Sequence, residues 1–170
     1  LNTLIGGLAG DALTDADTNV AVGVNTLSTD TKGSRSTAVG YAALETQNFT
    51  TATNTFNTAL GYYAGQSVTT GTQNTLIGGL AGDAITTASN NTAIGYNALT
   101  ANTTGTANVA VGHRAGEANT TGDSNTFIGK EAGLANTTAD NNVGIGRDAL
   151  VANTTGTGHV AVGKGAADAT

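Results

Sequence analysis

A five-residue pattern of polar and apolar positions recurs along the whole chain. It reads Asn, then Thr or Val, then a small residue, then Ile, Val or Leu, then Gly, as at residues 91–95; we call it the strand motif. A short fixed period is typical of stacked structural units. The sequence therefore predicts an all-β parallel β-solenoid (β-roll) of about ten 17-residue coils. The final glycines recur at this period with one longer interval, from Gly40 to Gly61, and they are Gly6, Gly23, Gly40, Gly61, Gly78, Gly95, Gly112, Gly129, Gly146 and Gly163.

Both faces of the predicted strand are almost free of charge. Side chains alternate between the faces, so Thr92 and Ile94 share one face while Asn91 and Ala93 share the other. The ten copies contain one ionisable residue, His159. A strand covered on one side only should carry polar residues outside. Because a thin coil covers only its inward face, we expect the Ala-rich face to pack against further copies of the chain, with a homotrimer as the natural assembly.

The remainder of each coil is expected to contain turns and one further strand. Two variable positions follow the glycine and predict an exposed turn, and a nearly invariant Ala then predicts close packing. We expect a short strand at residues 101–103, then an Asn-Thr-Thr-Gly return turn whose Asn and Gly adopt positive φ. Side chains at equal heights are expected to form ladders along the stack. The ladder positions of the strand motif include Asn91, Asn108, Asn125, Asn142, Ile94, Val111, Ile128 and Ile145.

Composition narrows the possible partners. The 170 residues include 33 Thr, 18 Asn and 25 Gly but no Cys, and the net charge is −6 with only six Lys and Arg. Nucleic acid is therefore an unsuitable partner. Apolar runs are too short for membrane insertion and no signal peptide is visible. We interpret residues 1–170 as a single repeat array taken from a longer chain, since it begins at Leu1.

One coil, within residues 41–56, is four residues longer than the others. Insertions in solenoids form loops on one face, often the binding face. Gln47, Asn48, Phe49 and Phe56 are accordingly a possible surface-binding loop. The alternative, which we favour, is that the phenylalanines pack the bulge against neighbouring coils.

The sequence offers no catalytic constellation. Carboxylates are scattered over turns, and the glycine-rich segments lack the Gly-Lys-Ser/Thr of a phosphate loop. We therefore expect no enzyme activity, no cofactor and no metal site. His159 replaces the Asn of the last strand motif and is expected near a chain–chain contact or as a cap on the ladder. Six Asn-x-Ser/Thr sequences, four of them at one turn of the coil, are explained by turn chemistry without sugar.

Residues 91–95, 108–112 and 159–163 resemble the head repeats of trimeric autotransporter adhesins of the Yersinia adhesin type. With their Asn-Thr-Thr-Gly turns they also resemble the repetitive shafts of phage tail fibres and related bacterial surface proteins. The resemblance covers essentially the whole chain. It implies a left-handed β-roll, a homotrimer and an extracellular location at a cell surface or virion tail. The 17-residue period is longer than the usual coil of that family.

Three functions are compatible with this sequence. The first is a structural and adhesive segment of an extracellular fibre whose partner is a host or surface glycan or protein. A phage tail-fibre shaft with host-receptor binding is the alternative. An ice- or polysaccharide-surface binder is a further alternative, because Thr103, Thr120, Thr137 and Thr154 would form a row at a spacing of ~4.8 Å. A depolymerase carried by a tail fibre has little support, since no carboxylate pair stands out.

Overall fold

The computed structural model describes residues 1–168, which form one continuous stack of about nine turns. Ten three-residue strands, one per strand motif, pair in parallel into a single sheet, and no described residue is helical. The predicted all-β parallel solenoid is confirmed. The strands are β1 (Thr3–Ile5), β2 (Val20–Val22), β3 (Gly33–Ser34), β4 (Thr37–Val39), β5 (Thr53–Asn54), β6 (Thr58–Leu60), β7 (Thr75–Ile77), β8 (Thr92–Ile94), β9 (Val109–Val111), β10 (Thr126–Ile128), β11 (Val143–Ile145) and β12 (Val160–Val162).

The register of the sheet follows the period of the sequence. Thr92 of β8 pairs with Val109 of β9, the residue one period farther along the chain. Across the long coil Thr37 pairs with Thr58, so the register there absorbs the insertion. Equivalent side chains are thus placed one above another along the whole stack.

The inside of the coil is lined by the first and third positions of the strand motif. Asn91 and Ala93 are fully buried within one chain, whereas Thr92 and Ile94 on the opposite face are partly exposed. The expectation that the Ala-rich face would need cover from another chain is therefore wrong, and the β-branched face is the open one. A 17-residue coil encloses little volume, so its inward positions take small Ala or an amide that bonds to the backbone.

Phe127 shows how tightly this interior is filled. It occupies an Ala position of the strand motif and is fully buried. Two glycines leave room for it, since a Cβ at Gly133 would clash with the Phe127 ring and one at Gly144 would lie 3.3 Å from it. The interior therefore accepts a large ring only where neighbouring side chains are absent.

Hydrogen bonds also join the coils away from the sheet. The amide of Thr103 donates to the carbonyl of Thr120 at 2.9 Å, yet this segment is a turn. The predicted second strand at this position is wrong. The chain turns at this point instead, because the Asn102 side chain bonds to the carbonyl of Gly105 three residues farther along. Among the described residues, one further strand pair is formed, between β5 of the long coil and β3 of the coil before it.

The final glycine of the strand motif is required by the backbone. Gly95 has a φ of 136°, and a Cβ there would clash with the carbonyl oxygen of Gly112. The positive φ predicted for the Asn-Thr-Thr-Gly turn does not occur at Asn102 or Gly105. That turn is shaped instead by the Asn102 side chain, whose Nδ2 donates to the Gly105 carbonyl at 2.9 Å.

Two ladders of buried asparagines run along the stack. In the first ladder, Asn91 Nδ2 donates to the carbonyl of Gly105 at 2.9 Å, and Asn91 Oδ1 accepts from the amide of Asn108 at 3.0 Å. In the second ladder, Asn119 Nδ2 donates to Asn102 Oδ1 at 3.1 Å. Each coil thereby satisfies buried polar groups of the next one. The first ladder contains the predicted positions Asn91, Asn108, Asn125 and Asn142, while Ile94, Val111, Ile128 and Ile145 lie on the outer face.

The long coil encloses a buried polar network. Gln47 Nε2 donates to Asp30 Oδ2 at 2.6 Å, and Asn57 Nδ2 donates to Gln47 Oε1 at 2.8 Å. Ser36, which takes the Asn position of its strand motif, also bonds to the Gln47 side chain. All four side chains are buried. The buried hydrogen bonds of Gln47 therefore hold the inserted segment against the stack.

Candidate interaction surfaces

The outer surface is where this molecule can meet a partner. The described residues enclose no pocket and bring together no group of three or more His, Cys, Asp or Glu that could hold a metal. Residues 1–168 also contain no helix long and apolar enough to cross a membrane. The outer surface consists of rows that repeat once per coil, so each row is described as a unit.

The outer face of the sheet consists of two parallel rows of uncharged side chains. The second position of each strand motif is Thr or Val and the fourth is Ile, Val or Leu. Several of these side chains are well exposed even in the middle of the stack, for example Leu60 at 47% and Ile128 at 38%. Ten strands at ~4.8 Å make this face ~48 Å long. Such an uncharged strip, with exposed aliphatic side chains among its threonines, suits contact with another protein surface.

An aromatic row follows the sheet at the first position after the glycine. Tyr41 and Tyr62 are stacked with ring centroids 5.6 Å apart, and Tyr96 and His113 are stacked at 5.8 Å. Gly79 occupies the same position in the coil between Tyr62 and Tyr96. Farther along the stack the row becomes basic, with Lys130, Arg147 and Lys164.

Tyr63 adds a fourth ring beside this row. Its ring centroid lies 4.2 Å from that of Tyr62 and 5.4 Å from that of Tyr41. Hydrogen bonding with the Tyr62 hydroxyl is the main cause that raises the pKa of Tyr63 to about 12. The Tyr63 side chain is therefore uncharged at physiological pH.

The predicted threonine row has its hydroxyls engaged. Thr103 Oγ1 donates to the carbonyl of Thr120 at 3.1 Å, and Thr120 Oγ1 donates to that of Thr137 at 3.0 Å. The hydroxyl protons thus serve the contact between coils. A neighbouring row that includes Thr104 and Thr121 is exposed. The hydroxyls of the predicted row are consequently less available to an ice or polysaccharide surface than the sequence suggests.

The four residues of the predicted surface-binding loop fall into two groups. Gln47 is fully buried and Phe49 is 7% exposed, so both pack the interior of the long coil. Asn48 and Phe56 are exposed, and the Arg35 guanidinium lies 5.6 Å from the centroid of the Phe56 ring. Phe49 therefore packs the long coil, as the favoured alternative predicted. Of the four residues, only Asn48 and Phe56 are accessible to a ligand.

His159 and the repeated Asn-x-Thr sites both lie along the asparagine ladders. The amide of His159 donates to Asn142 Oδ1 at 2.9 Å, and its ring lies beside Gly156. His159 thus continues the ladder inside the last coil, as a cap would, and does not point toward an outer contact. The four repeated Asn side chains are buried and bonded, which leaves a glycosyltransferase no access to them in the folded chain; they are Asn102, Asn119, Asn136 and Asn153.

The tyrosines lie at the two variable positions from which the sequence predicted only an exposed turn, and their alignment was not predicted. The available signal was that Tyr41, Tyr62, Tyr96 and His113 all directly follow the final glycine of a strand motif. Comparison of this chain with protein-family models, with curated proteins and with solved structures gives no match.

Proposed function

We propose that this chain is a non-enzymatic structural and adhesive segment of an extracellular fibre. In this proposal the solenoid is a rigid rod, assembled as a homotrimer, that carries or forms a surface-attachment element. The observation that supports it is the uncharged β-branched face across all ten strands. A continuous uncharged strip of this length marks a candidate surface for contact with another protein.

The size of this face predicts how assembly depends on length. A strip ~48 Å long and three residues wide, ~10 Å, covers ~480 Å². A standard stable interface buries ~800 Å² per partner. Neighbouring turn rows must therefore contribute, and longer arrays should associate more tightly than shorter ones.

The extracellular location and the left-handed winding belong to the same proposal and rest on the resemblance to surface-fibre repeats. A phage tail-fibre shaft would use the same rod and the same face. The threonine-row binder is less well supported, because the Thr103 and Thr120 hydroxyls already donate to backbone carbonyls.

Sedimentation of the chain and of two matched variants tests the assembly. We expect a trimer for the original chain and a monomer for the double variant Ile94→Lys/Val111→Lys, because two charges would be buried in the interface. Thr104→Lys/Thr121→Lys places the same two charges on exposed turns and should remain trimeric. Circular dichroism confirms that each variant is folded. A monomeric original chain, or a trimeric double variant, would refute the homotrimer built on this face.

A further inference from the structure

Two stacked pairs of rings stand on either side of Gly79. Tyr62 is stacked on Tyr41 with an interplanar angle of 18°, and Tyr96 is stacked on His113 with an angle of 21°. The covered face of Tyr62 points to the preceding coil and that of Tyr96 to the following coil. Their free faces therefore both point toward the coil of Gly79.

Gly79 places no side chain between the two rings, and the Tyr96 ring leans toward it. Tyr62 and Tyr96 are 55% and 53% exposed although each has one face covered. A Cβ built on Gly79 would meet the Tyr96 ring at 3.5 Å, which is an ordinary contact. The missing side chain thus leaves a slot with two aromatic walls and a backbone floor.

The width of the slot selects the shape of a ligand. Two coil steps of ~4.8 Å separate the backbones of Tyr62 and Tyr96 by ~9.6 Å, and the lean of the Tyr96 ring toward Gly79 narrows the gap between the two rings below that value. A flat ring in contact with both walls needs only ~7–8 Å, twice the ~3.5–4.0 Å contact distance of carbon atoms. The gap therefore leaves at most ~2 Å beyond a flat ring, which is room for the pucker and axial hydrogens of one saturated six-membered ring.

The chemistry of the slot indicates a neutral, hydroxyl-rich ligand. Aromatic faces receive the C–H face of such a ring, and the tyrosine hydroxyls can bond to its polar edge. No Lys, Arg, Asp or Glu occurs at the two turn positions of this part of the row, where Tyr62, Tyr63, Gly79, Leu80, Tyr96 and Asn97 lie. An anionic ligand would find no counter-charge there.

We propose that Tyr62, Gly79 and Tyr96 form a binding slot for one pyranose ring of a neutral carbohydrate. This proposal rests on the proposed adhesive function and names the class of ligand that the rod would bind. It lies entirely within one chain and does not require the trimer. Sedimentation tests the assembly, whereas sugar binding tests the slot, so failure of one is distinguishable from failure of the other.

Filling the slot is the most direct test. Gly79→Tyr would complete the ring stack in the manner of Tyr41 and Tyr62, and its Cβ meets only ordinary contacts. Gly7→Tyr is the matched control, because Gly7 holds the same position in the first coil with open space around it. Saturation-transfer NMR with methyl glycosides of glucose, galactose, mannose and N-acetylglucosamine should show binding of at least one sugar to the original chain and to Gly7→Tyr, and none to Gly79→Tyr.

Ring-specific signals locate the contact. The chain has four tyrosines, so 3-fluorotyrosine labelling gives four fluorine resonances, assigned by single Tyr→Phe variants. Sugar should shift the resonances of Tyr62 and Tyr96 most, and Tyr96→Ala should weaken binding about two- to tenfold. Absence of binding by all four glycosides, unchanged binding in Gly79→Tyr, or binding of indole without any sugar would overturn the proposal.

Discussion

Replacing the buried Asn91 by Asp should make folding of this chain strongly dependent on pH. The substitution keeps the shape of the side chain but exchanges the Nδ2 donor for an oxygen. That donor bonds to the carbonyl of Gly105 at 2.9 Å. In the variant, an ionised carboxylate oxygen would face this carbonyl oxygen, and neither can donate a hydrogen bond. The other oxygen keeps its role, because it still accepts from the Asn108 amide.

The cost follows from the lost bond and the buried charge. The Gly105 carbonyl loses one of its two donors and keeps the other, Asn102 Nδ2, so the lost hydrogen bond costs about 1 kcal/mol; burial of an ionised carboxylate adds to that. A protonated Asp can donate to this carbonyl, so folding raises its pKa above the unfolded value of ~3.9. Stability is then greatest below pH ~3.9 and falls by about 1.4 kcal/mol per pH unit until the folded pKa is reached.

Asn90→Asp is the control for this prediction. Asn90 precedes Asn91 directly, is exposed, and has a φ of 64° that Asp also tolerates. Urea unfolding of both variants, followed by circular dichroism between about pH 4 and about pH 8, gives the difference in free energy at each pH. We expect the Asn91 variant to be the less stable one at neutral pH and to approach the control in acid. Equal stability throughout, or a gap that widens in acid, would refute the role assigned to the ladder amide.

Three further predictions concern packing and charge. Gly95→Ala should cost about 2 kcal/mol or more, since its φ and a backbone clash both oppose a Cβ, while Gly79→Ala should be nearly neutral; calorimetric melting of both variants measures this. Phe127→Ala should lower the free energy of unfolding by about 3–5 kcal/mol in a urea titration, because the fully buried ring leaves a cavity, and a loss under about 1 kcal/mol would contradict tight packing. Burial raises the pKa of Asp83, so the original chain should lose stability relative to Asp83→Asn as pH rises above ~3.9, and a pH-independent difference would argue against that environment.

The repeat period predicted the architecture because it fixes which residues lie above one another. Thr92 pairs with Val109 as the 17-residue interval requires, and Gly95 is a glycine for the backbone reason that its recurrence suggests. The period does not predict which face of the strand points into the coil. Both faces of the strand motif are uncharged, so side-chain volume decides, and Ala93 lies inside while Ile94 stays outside.

The tyrosine slot depends on spacing that no single motif displays. Tyr62 and Tyr96 are two repeat periods apart in the sequence and become neighbours only when Gly79 is recognised as the gap between them. Likewise, Gln47 looks like a loop residue beside two phenylalanines, but its amide fits between Asp30 and Asn57 inside the coil. Such partners follow from the three-dimensional register and not from local composition.

The direction of the hydrogen bonds determines how this chain would respond to mechanical tension. Bonds such as that from the Thr103 amide to the Thr120 carbonyl run along the axis of the stack. When the two ends of the chain are pulled apart, the same force therefore acts on every junction between coils. The outermost coil detaches first, because it is held on one side only. Each 17-residue coil released converts ~4.8 Å of rod into ~58 Å of extended chain, at ~3.4 Å per residue. A tether built in this way lengthens about twelvefold in steps, and so limits the force that reaches whatever is attached at its end.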